Sequence, residues 1–201
     1  MDSTKLIWYC QGDFEMDWYR IRHTIGMYLC PTAIKRAAYL KKHNIMYHMG
    51  DNCMTMFRKI PLYPKLISMG DNVWIASNVL FVTHDVIHRM LNNKLGSKEF
   101  QENIGCIDIK DNVFIGSNTT ILPNVTIGSN TVIGAGSLIR HSIPGDGVYG
   151  GVPAKFICSL DEFVEKRRQS SKITITRGKG GLSEETIIEC WKRFKGVEKS
   201  R

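Results

Sequence analysis

Groups able to do chemistry are thinly spread along this chain of 201 residues, which holds six histidines and six cysteines. The cysteines (Cys10, Cys30, Cys53, Cys106, Cys158, Cys190) stand far apart, with no C-x-x-C pair and no metal-like spacing. They read as reduced, mostly buried thiols rather than a disulfide framework. No serine or cysteine sits beside a base in a nucleophile motif, so no covalent intermediate is expected. The densest cluster is T-H-D-V-I-H-R, which gathers His84, Asp85, His88 and Arg89. An imidazole titrates near neutral pH, so His84 is the group suited to take a proton from a hydroxyl and pass it on. Asp85 adjoins it, but successive residues of a strand point to opposite faces. Whether Asp85 orients the ring or contacts a substrate is therefore open. His88 and Arg89 begin the polar stretch that follows. A lone histidine is ordinarily structural; the pattern on both sides is what gives His84 weight.

That pattern has a period of six. From Ile109 the chain reads IKDNVF, IGSNTT, ILPNVT, IGSNTV, IGAGSL, IRHSIP. Isoleucine recurs at 109, 115, 121, 127, 133 and 139, and Val113, Thr119, Val125, Thr131, Ser137 and Ile143 follow each by four. A helix needs a period near 3.6 and tolerates few glycines. A plain strand would be broken by asparagine and glycine at every sixth place. Short strands joined by tight turns and wound into a parallel β-helix satisfy it, with residues 18 apart stacked about 4.8 Å from one another. The same beat occurs at MGDNVW from Met69, IASNVL from Ile75 and FVTHDV from Phe81, and in degraded form at Met49. The two blocks are out of phase, since Met69 and Ile109 are 40 residues apart. An excursion at about 85–106 therefore leaves the coil and returns, and loops of this length are commonly functional.

The fold expected is mainly β, a parallel β-helix with helical flanks. Residues 1–48 form an N-terminal helical flank, with two helical pieces over 14–44 separated at Pro31. Residues 49–158 form the coil with its excursion, and 159–201 a helical tail. Helices are expected from Leu160 and from Ser183, the latter capped by Ser183 with Glu185 and Thr186 nearby, with a loop around Gly178–Gly181. Trp74 is expected at a corner or a subunit contact. The net charge of +8 lies in the flanks, because residues 49–154 carry equal numbers of acids and bases. No nucleic-acid-binding motif accompanies it. No apolar run is long enough to cross a membrane. The first residues lack a secretory pattern, so a cytoplasmic location is expected.

GDNVWIASNVLFVTHD and IGSNTTILPNVTIGSNTVIGAGSLIRHSIPGDGVYGGVPAKFI together resemble the coils of hexapeptide-repeat acyltransferases. The resemblance covers about residues 49–158. It is to the branch containing maltose, galactoside and capsular-sugar O-acetyltransferases and the streptogramin acetyltransferases. It implies a left-handed coil, a homotrimer with active sites between subunits, and acetyl-CoA as co-substrate with no metal. It implies a small-molecule sugar acceptor, no nucleic acid and no membrane insertion.

The family's general base falls at the position of His84, as the resemblance implies; Asp85, His88 and Arg89, where the excursion begins, are the residues expected toward an acceptor, with the role of Asp85 left open between ring and acceptor. Ser117 and Ala135 are 18 apart and so occupy equivalent points of successive coils. Small residues there let the backbone approach a pantetheine arm. Arg140 and His141 fall near the adenine end, where many relatives have Thr-Lys. Lys155 in GVPAK suits a phosphate. A backbone N–H is the expected oxyanion donor. Alternatives are an amine or antibiotic acceptor on the same scaffold, or a zinc enzyme resembling gamma-class carbonic anhydrases. His48, His84 and His88 approach the ligand spacing of those enzymes but miss it by one residue.

Overall fold

The computed structural model describes residues 18–170 and 173–198. The chain divides into two units, residues 1–163 and 164–201. The N-terminal flank supplies α1 (Trp18–Leu29) and α2 (Ala33–Lys42), with Pro31 between them. Residues 14–17 of the expected helical stretch lie outside the described residues, as does Cys10. Thr32 caps α2, its hydroxyl accepting from the Lys35 amide at 3.2 Å.

The coil has three sides. The first stacks β1 (His48–Met49), β3 (Ile67–Met69), β8 (Ile107–Ile109) and β11 (Val125–Ile127). The second stacks β2 (Met54–Thr55), β4 (Val73–Ile75), β9 (Val113–Ile115), β12 (Thr131–Ile133) and β14 (Gly147–Gly150), on which β15 (Lys155–Ser159) folds back antiparallel. The third stacks β5 (Leu80–Phe81), β10 (Thr120–Ile121) and β13 (Leu138–Ile139). Every pairing except the one with β15 is parallel on these sides. Among the described residues this is the parallel β-helix that the sixfold beat predicts.

The beat works because each hexapeptide turns two side chains inward. Ile109, Ile115, Ile121, Ile127, Ile133 and Ile139 are buried, and so are Val113, Thr119, Val125, Thr131, Ser137 and Ile143. Trp74 is not at a corner. It stands mid-strand in β4 on the outer face, and its Nε1 donates to Asn72 Oδ1 at 3.0 Å. The alternation of the strand turns Trp74 out because Val73 and Ile75 fill the interior.

The corners are made by asparagine. Asn72, Asn78, Asn112, Asn118, Asn124 and Asn130 all have φ between 55° and 60°, the left-handed region that asparagine tolerates better than other side chains. On one corner their amides form a ladder: Asn72 donates to Asn112, Asn112 to Asn130, and Asn130 to Asp146. Gly136 (φ 70°) takes the equivalent place one coil on from Asn118. A Cβ at Gly116 would lie 2.5 Å from the Ala135 amide nitrogen, so glycine is required where these coils press together.

The excursion leaves after β5 and is closed at its base by β6 (His84–Asp85), antiparallel to β7 (Asn103–Ile104). It is not a bare loop, for α3 (Ile87–Leu95) occupies it. Across it, Met69 pairs with Ile109 in the register that any two successive coils use. At the free end of the coil, Arg36 of α2 is buried and donates to the Thr55 and Cys30 carbonyls.

The helix α4 (Leu160–Gln169) starts with a reciprocal box that sequence reading missed: Ser159 Oγ accepts from the Glu162 amide, and Glu162 Oε2 from the Ser159 amide, each at 3.1 Å. In the second unit, residues 177–182 form a small hairpin of β16 (Arg177–Gly178) and β17 (Gly181–Leu182) where a loop was expected. There α5 (Glu184–Glu198) is capped by Ser183, whose hydroxyl accepts from the Thr186 amide and bonds the Thr176 hydroxyl; Glu185 is not part of the cap. Five described cysteines are free, and Cys106 and Cys190 are exposed, contrary to the expectation of mostly buried thiols. Cys106 closes the excursion where it rejoins the coil, at a corner open to solvent. No described helix is long and apolar enough to cross a membrane.

Candidate active site

His84 opens β6, three residues after the end of β5, where the third side of the coil would continue and the excursion begins. Its backbone pairs with Ile104. Its ring meets that of Tyr63 edge to face, with centroids 5.2 Å apart and planes at 75°. Tyr63 is held in an unusual backbone state (φ 53°) between Pro61 and Pro64. Its phenol donates to both oxygens of Glu102 at 3.1 and 3.0 Å. That hydrogen bond to a carboxylate, then burial, pushes the Tyr63 phenol above its ordinary range. The Nδ1 atoms of His84 and His88 are buried and make no hydrogen bond among the described residues. A buried polar atom in that state calls for a partner from outside the chain or a reason of function.

His84 is among the residues lining a cavity of about 570 Å³. The cavity runs along the outer face of β5 to the Ser77–Asn78 corner, and its other wall comes from α1 and the segment 56–62. Ser117 and Ala135 stack above Ser77: the Asn118 amide donates to the Ser77 carbonyl at 3.0 Å and the Gly136 amide to the Ser117 carbonyl at 2.8 Å. These small residues border one edge of the third side, and His84 lies at its other edge. Arg140 and His141 follow β13 on the same edge as His84, two coils further along, and are exposed. They line a separate hollow of about 110 Å³ with Ala154 and Phe156. Lys155 is exposed beside that hollow, paired through its backbone with Gly150.

Asp85 is engaged within the excursion. Its Oδ1 accepts from the Ile87 amide at 3.0 Å and its Oδ2 from the Asn103 side chain at 3.1 Å. The Ile87 N–H first, then Asn103, hold this carboxyl below the usual range. The folded-state pKa is thus depressed. The anchor is fully present above the ordinary aspartate value of about 3.9 and is lost as pH falls through the lower, folded value. We expect hydrogen exchange at the Ile87 amide, followed by NMR, to be protected near neutrality and to lose that protection only in the acid range below about pH 3.9. An Asp85→Ala variant, which has no acceptor there, is expected to lose much of the protection at neutral pH as well; equal protection in both would show that Asp85 does not anchor the arm.

Arg89 lies close enough to Tyr63 to oppose the rise in its pKa. His48 stands exposed on β1, apart from His84 and His88, and no group of three metal-ligating side chains gathers among the described residues. Sequence reading missed Tyr63, Glu102 and the cations lining the cavity. It also missed α3, although Ile87, Met90, Leu91 and Leu95 carry helical spacing.

The three-sided coil is shared with solved acetyltransferases. Residues 107–141 match the family described as bacterial transferase hexapeptide (six repeats). More particularly, the chain is similar to hexapeptide-repeat acetyltransferases. It is 39% identical to the galactoside O-acetyltransferase of Escherichia coli (strain K12) over 116 residues, which is 57% of this chain and 55% of that one. The chain spans about half the length of the curated relatives it matches. A solved galactoside acetyltransferase in complex with coenzyme A is similar at TM-score 0.55 and 26% identity, over 92% of this chain and 99% of that chain. The maltose O-acetyltransferase from Clostridium difficile 630 gives TM-score 0.53 and 27% identity, over 70% of this chain and 84% of that chain.

Proposed function

We propose that this chain is an acetyl-CoA-dependent O-acetyltransferase that acetylates a sugar hydroxyl by direct transfer, with His84 as general base. The observation that carries the reading is the position of His84 at the rim of the cavity, beside the coil side whose far edge carries the Ser77–Ser117–Ala135 column. The relatives' names add support, since the similar proteins are O-acetyltransferases and one was solved with coenzyme A.

In this reading the imidazole removes the acceptor proton as the hydroxyl oxygen attacks the thioester carbonyl. A backbone N–H stabilises the oxyanion. The C–S bond then breaks, the imidazolium returns the proton to the departing thiolate, and the products are an acetyl ester and free coenzyme A. Tyr63 fixes the ring from the side. Ser117 and Ala135 give the pantetheine arm a smooth backbone wall, Arg140 and His141 flank the adenine, and Lys155 pairs with a phosphate. His88 and Arg89 face the acceptor. Asp85 holds the arm that carries them. A left-handed coil, a homotrimer with sites between subunits, a residue 1–48 flank, a residue 49–158 coil and a residue 159–201 tail, and a cytoplasmic setting where acetyl-CoA is at hand complete the reading.

The test is release of coenzyme A from acetyl-CoA, followed with a thiol reagent against a panel of free sugars, nucleotide sugars, oligosaccharides and streptogramins. Acceptor-dependent release with a sugar, and an acetyl ester in the product, is the expected result. Release with an amine alone would move the chemistry to nitrogen. No acceptor-dependent release, with no binding of acetyl-CoA, would overturn the reading.

A further inference from the structure

A histidine that works as a base needs its ring held in one orientation, and the usual holder is an acceptor on the ring nitrogen turned away from the substrate. His84 has no such holder among the described residues, since its Nδ1 is buried and makes no hydrogen bond. What stands against the ring instead is Tyr63, edge to face at 5.2 Å.

Three ties fasten Tyr63 there. The residues just before the two rings are joined, the Thr83 hydroxyl donating to the Leu62 carbonyl at 2.8 Å. The Tyr63 backbone sits at φ 53°, and among the described residues it is the one positive-φ position filled by something other than glycine, asparagine or aspartate. A bulky residue persists in that region only where its surroundings over-determine it, and such positions gather at functional sites. The phenol O–H is shared between the two oxygens of Glu102, at 3.1 and 3.0 Å. Glu102 immediately precedes β7, whose Ile104 pairs with the backbone of His84 itself. A closed circuit therefore runs from the His84 backbone through β7 to Glu102, on to the Tyr63 phenol, and back to the His84 ring. Tyr63 and Glu102 line a second cavity, of about 800 Å³, and neither lines the one that includes His84. Groups so placed reach the chemistry only through the ring they steady.

Resting on the acetyltransferase reading, we propose that Glu102 is a positioning residue for His84, acting through Tyr63. The carboxylate fixes the phenol, and the tyrosine ring fixes the imidazole in the direction from which it takes the acceptor proton.

The experiment compares Glu102→Ala, Glu102→Gln, Tyr63→Phe and the double variant Tyr63→Phe with Glu102→Ala, all in the full chain. Turnover is followed with acetyl-CoA and the panel sugar that gives the greatest release, maltose and methyl galactoside included. Glu102→Ala and Tyr63→Phe are each expected to lower kcat roughly tenfold, as for a base moved off its line of attack. The KM for either substrate is expected to stay within about twofold. Glu102→Gln keeps an acceptor for the phenol and is expected to recover most of the rate. The double variant is expected to be no slower than either single one, because both changes remove the same contact. NMR of labelled histidine reads the ring without turnover, with His84→Gln giving the assignment. The His84 ring protons carry the ring current of Tyr63. They are expected to move in Glu102→Ala toward their place in Tyr63→Leu, and to stay put in Glu102→Gln. Melting temperatures check the fold of each variant. A kcat within about twofold of the unmodified protein in Glu102→Ala, or His84 resonances unmoved there, overturns the proposal. So do additive losses in the double variant, or a loss confined to KM. Any of these, with the unmodified chain still active, removes only the role of Glu102. An unmodified chain that turns over no panel member removes the acetyltransferase reading and this inference with it.

Discussion

Replacing His84 with alanine is expected to lower turnover with acetyl-CoA by roughly 100-fold or more, the usual contribution of a positioned general base. The loss is expected in kcat, with the KM for acetyl-CoA little changed, because in the proposed mechanism the imidazole acts on the acceptor proton and does not hold the donor. His84→Gln provides the second variant. It keeps a polar side chain of similar reach but cannot carry a proton through the reaction, so it is expected to be as slow as alanine. The fold should survive both changes. His84 lies at the rim rather than inside the stack, and its edge contact with Tyr63 is worth about 0.5–1.5 kcal/mol. A stopped-flow or thiol-release assay alongside a thermal melt checks the pair. Turnover within a few-fold of the unmodified protein would remove His84 from the chemistry.

The second large effect concerns the stack. Ile121→Asp is expected to leave no folded protein at ordinary temperature. Ile121 is fully buried, stacked between Phe81 and Ile139. Removing the aliphatic group alone costs about 2–5 kcal/mol. A carboxylate introduced there meets no partner, and burying an unpaired charge adds several kcal/mol more. The sum rivals the whole stability of a typical domain, about 5–15 kcal/mol. Ile133→Asp, between Ile115 and Tyr149, is expected to do the same. Ile121→Val serves as the control, with an expected cost of about 0.5–1.5 kcal/mol. Urea unfolding followed by circular dichroism measures all three. An Asp variant that stays soluble and melts normally would show that these side chains do not line the interior.

The coil was legible because its rule is local. A β-branched or aliphatic residue at one place and asparagine three residues later repeat without need of long-range knowledge, and Asn112, Asn118, Asn124 and Asn130 each take the left-handed corner that the spacing demands. The mid-strand place of Trp74 was less legible than a corner, because outward positions obey no such rule; only the alternation around Val73 and Ile75 decides it. The candidate site was legible in part. His84 stands out as the last residue before the beat fails. Tyr63 and Glu102 do not, because their meeting depends on two segments outside the sixfold beat, 62–66 and 102–104, brought together through space. The cations at 20, 58 and 59 were invisible for the same reason: the cavity they share exists only once α1 lies against the first coil. The helix α3 was hidden by its polar composition, its four apolar residues being set among asparagine, lysine and arginine.

The pairing of Met69 with Ile109 carries a consequence of its own. The rungs on either side of the arm rest directly on one another, and the segment between them bears none of their load. Its ends, His84 and Ile104, meet as neighbours before the winding resumes. Length, composition and shape of the intervening chain are thus uncoupled from the integrity of the prism. A scaffold with this property can be refitted by exchanging one segment, while the later rungs stay as they were.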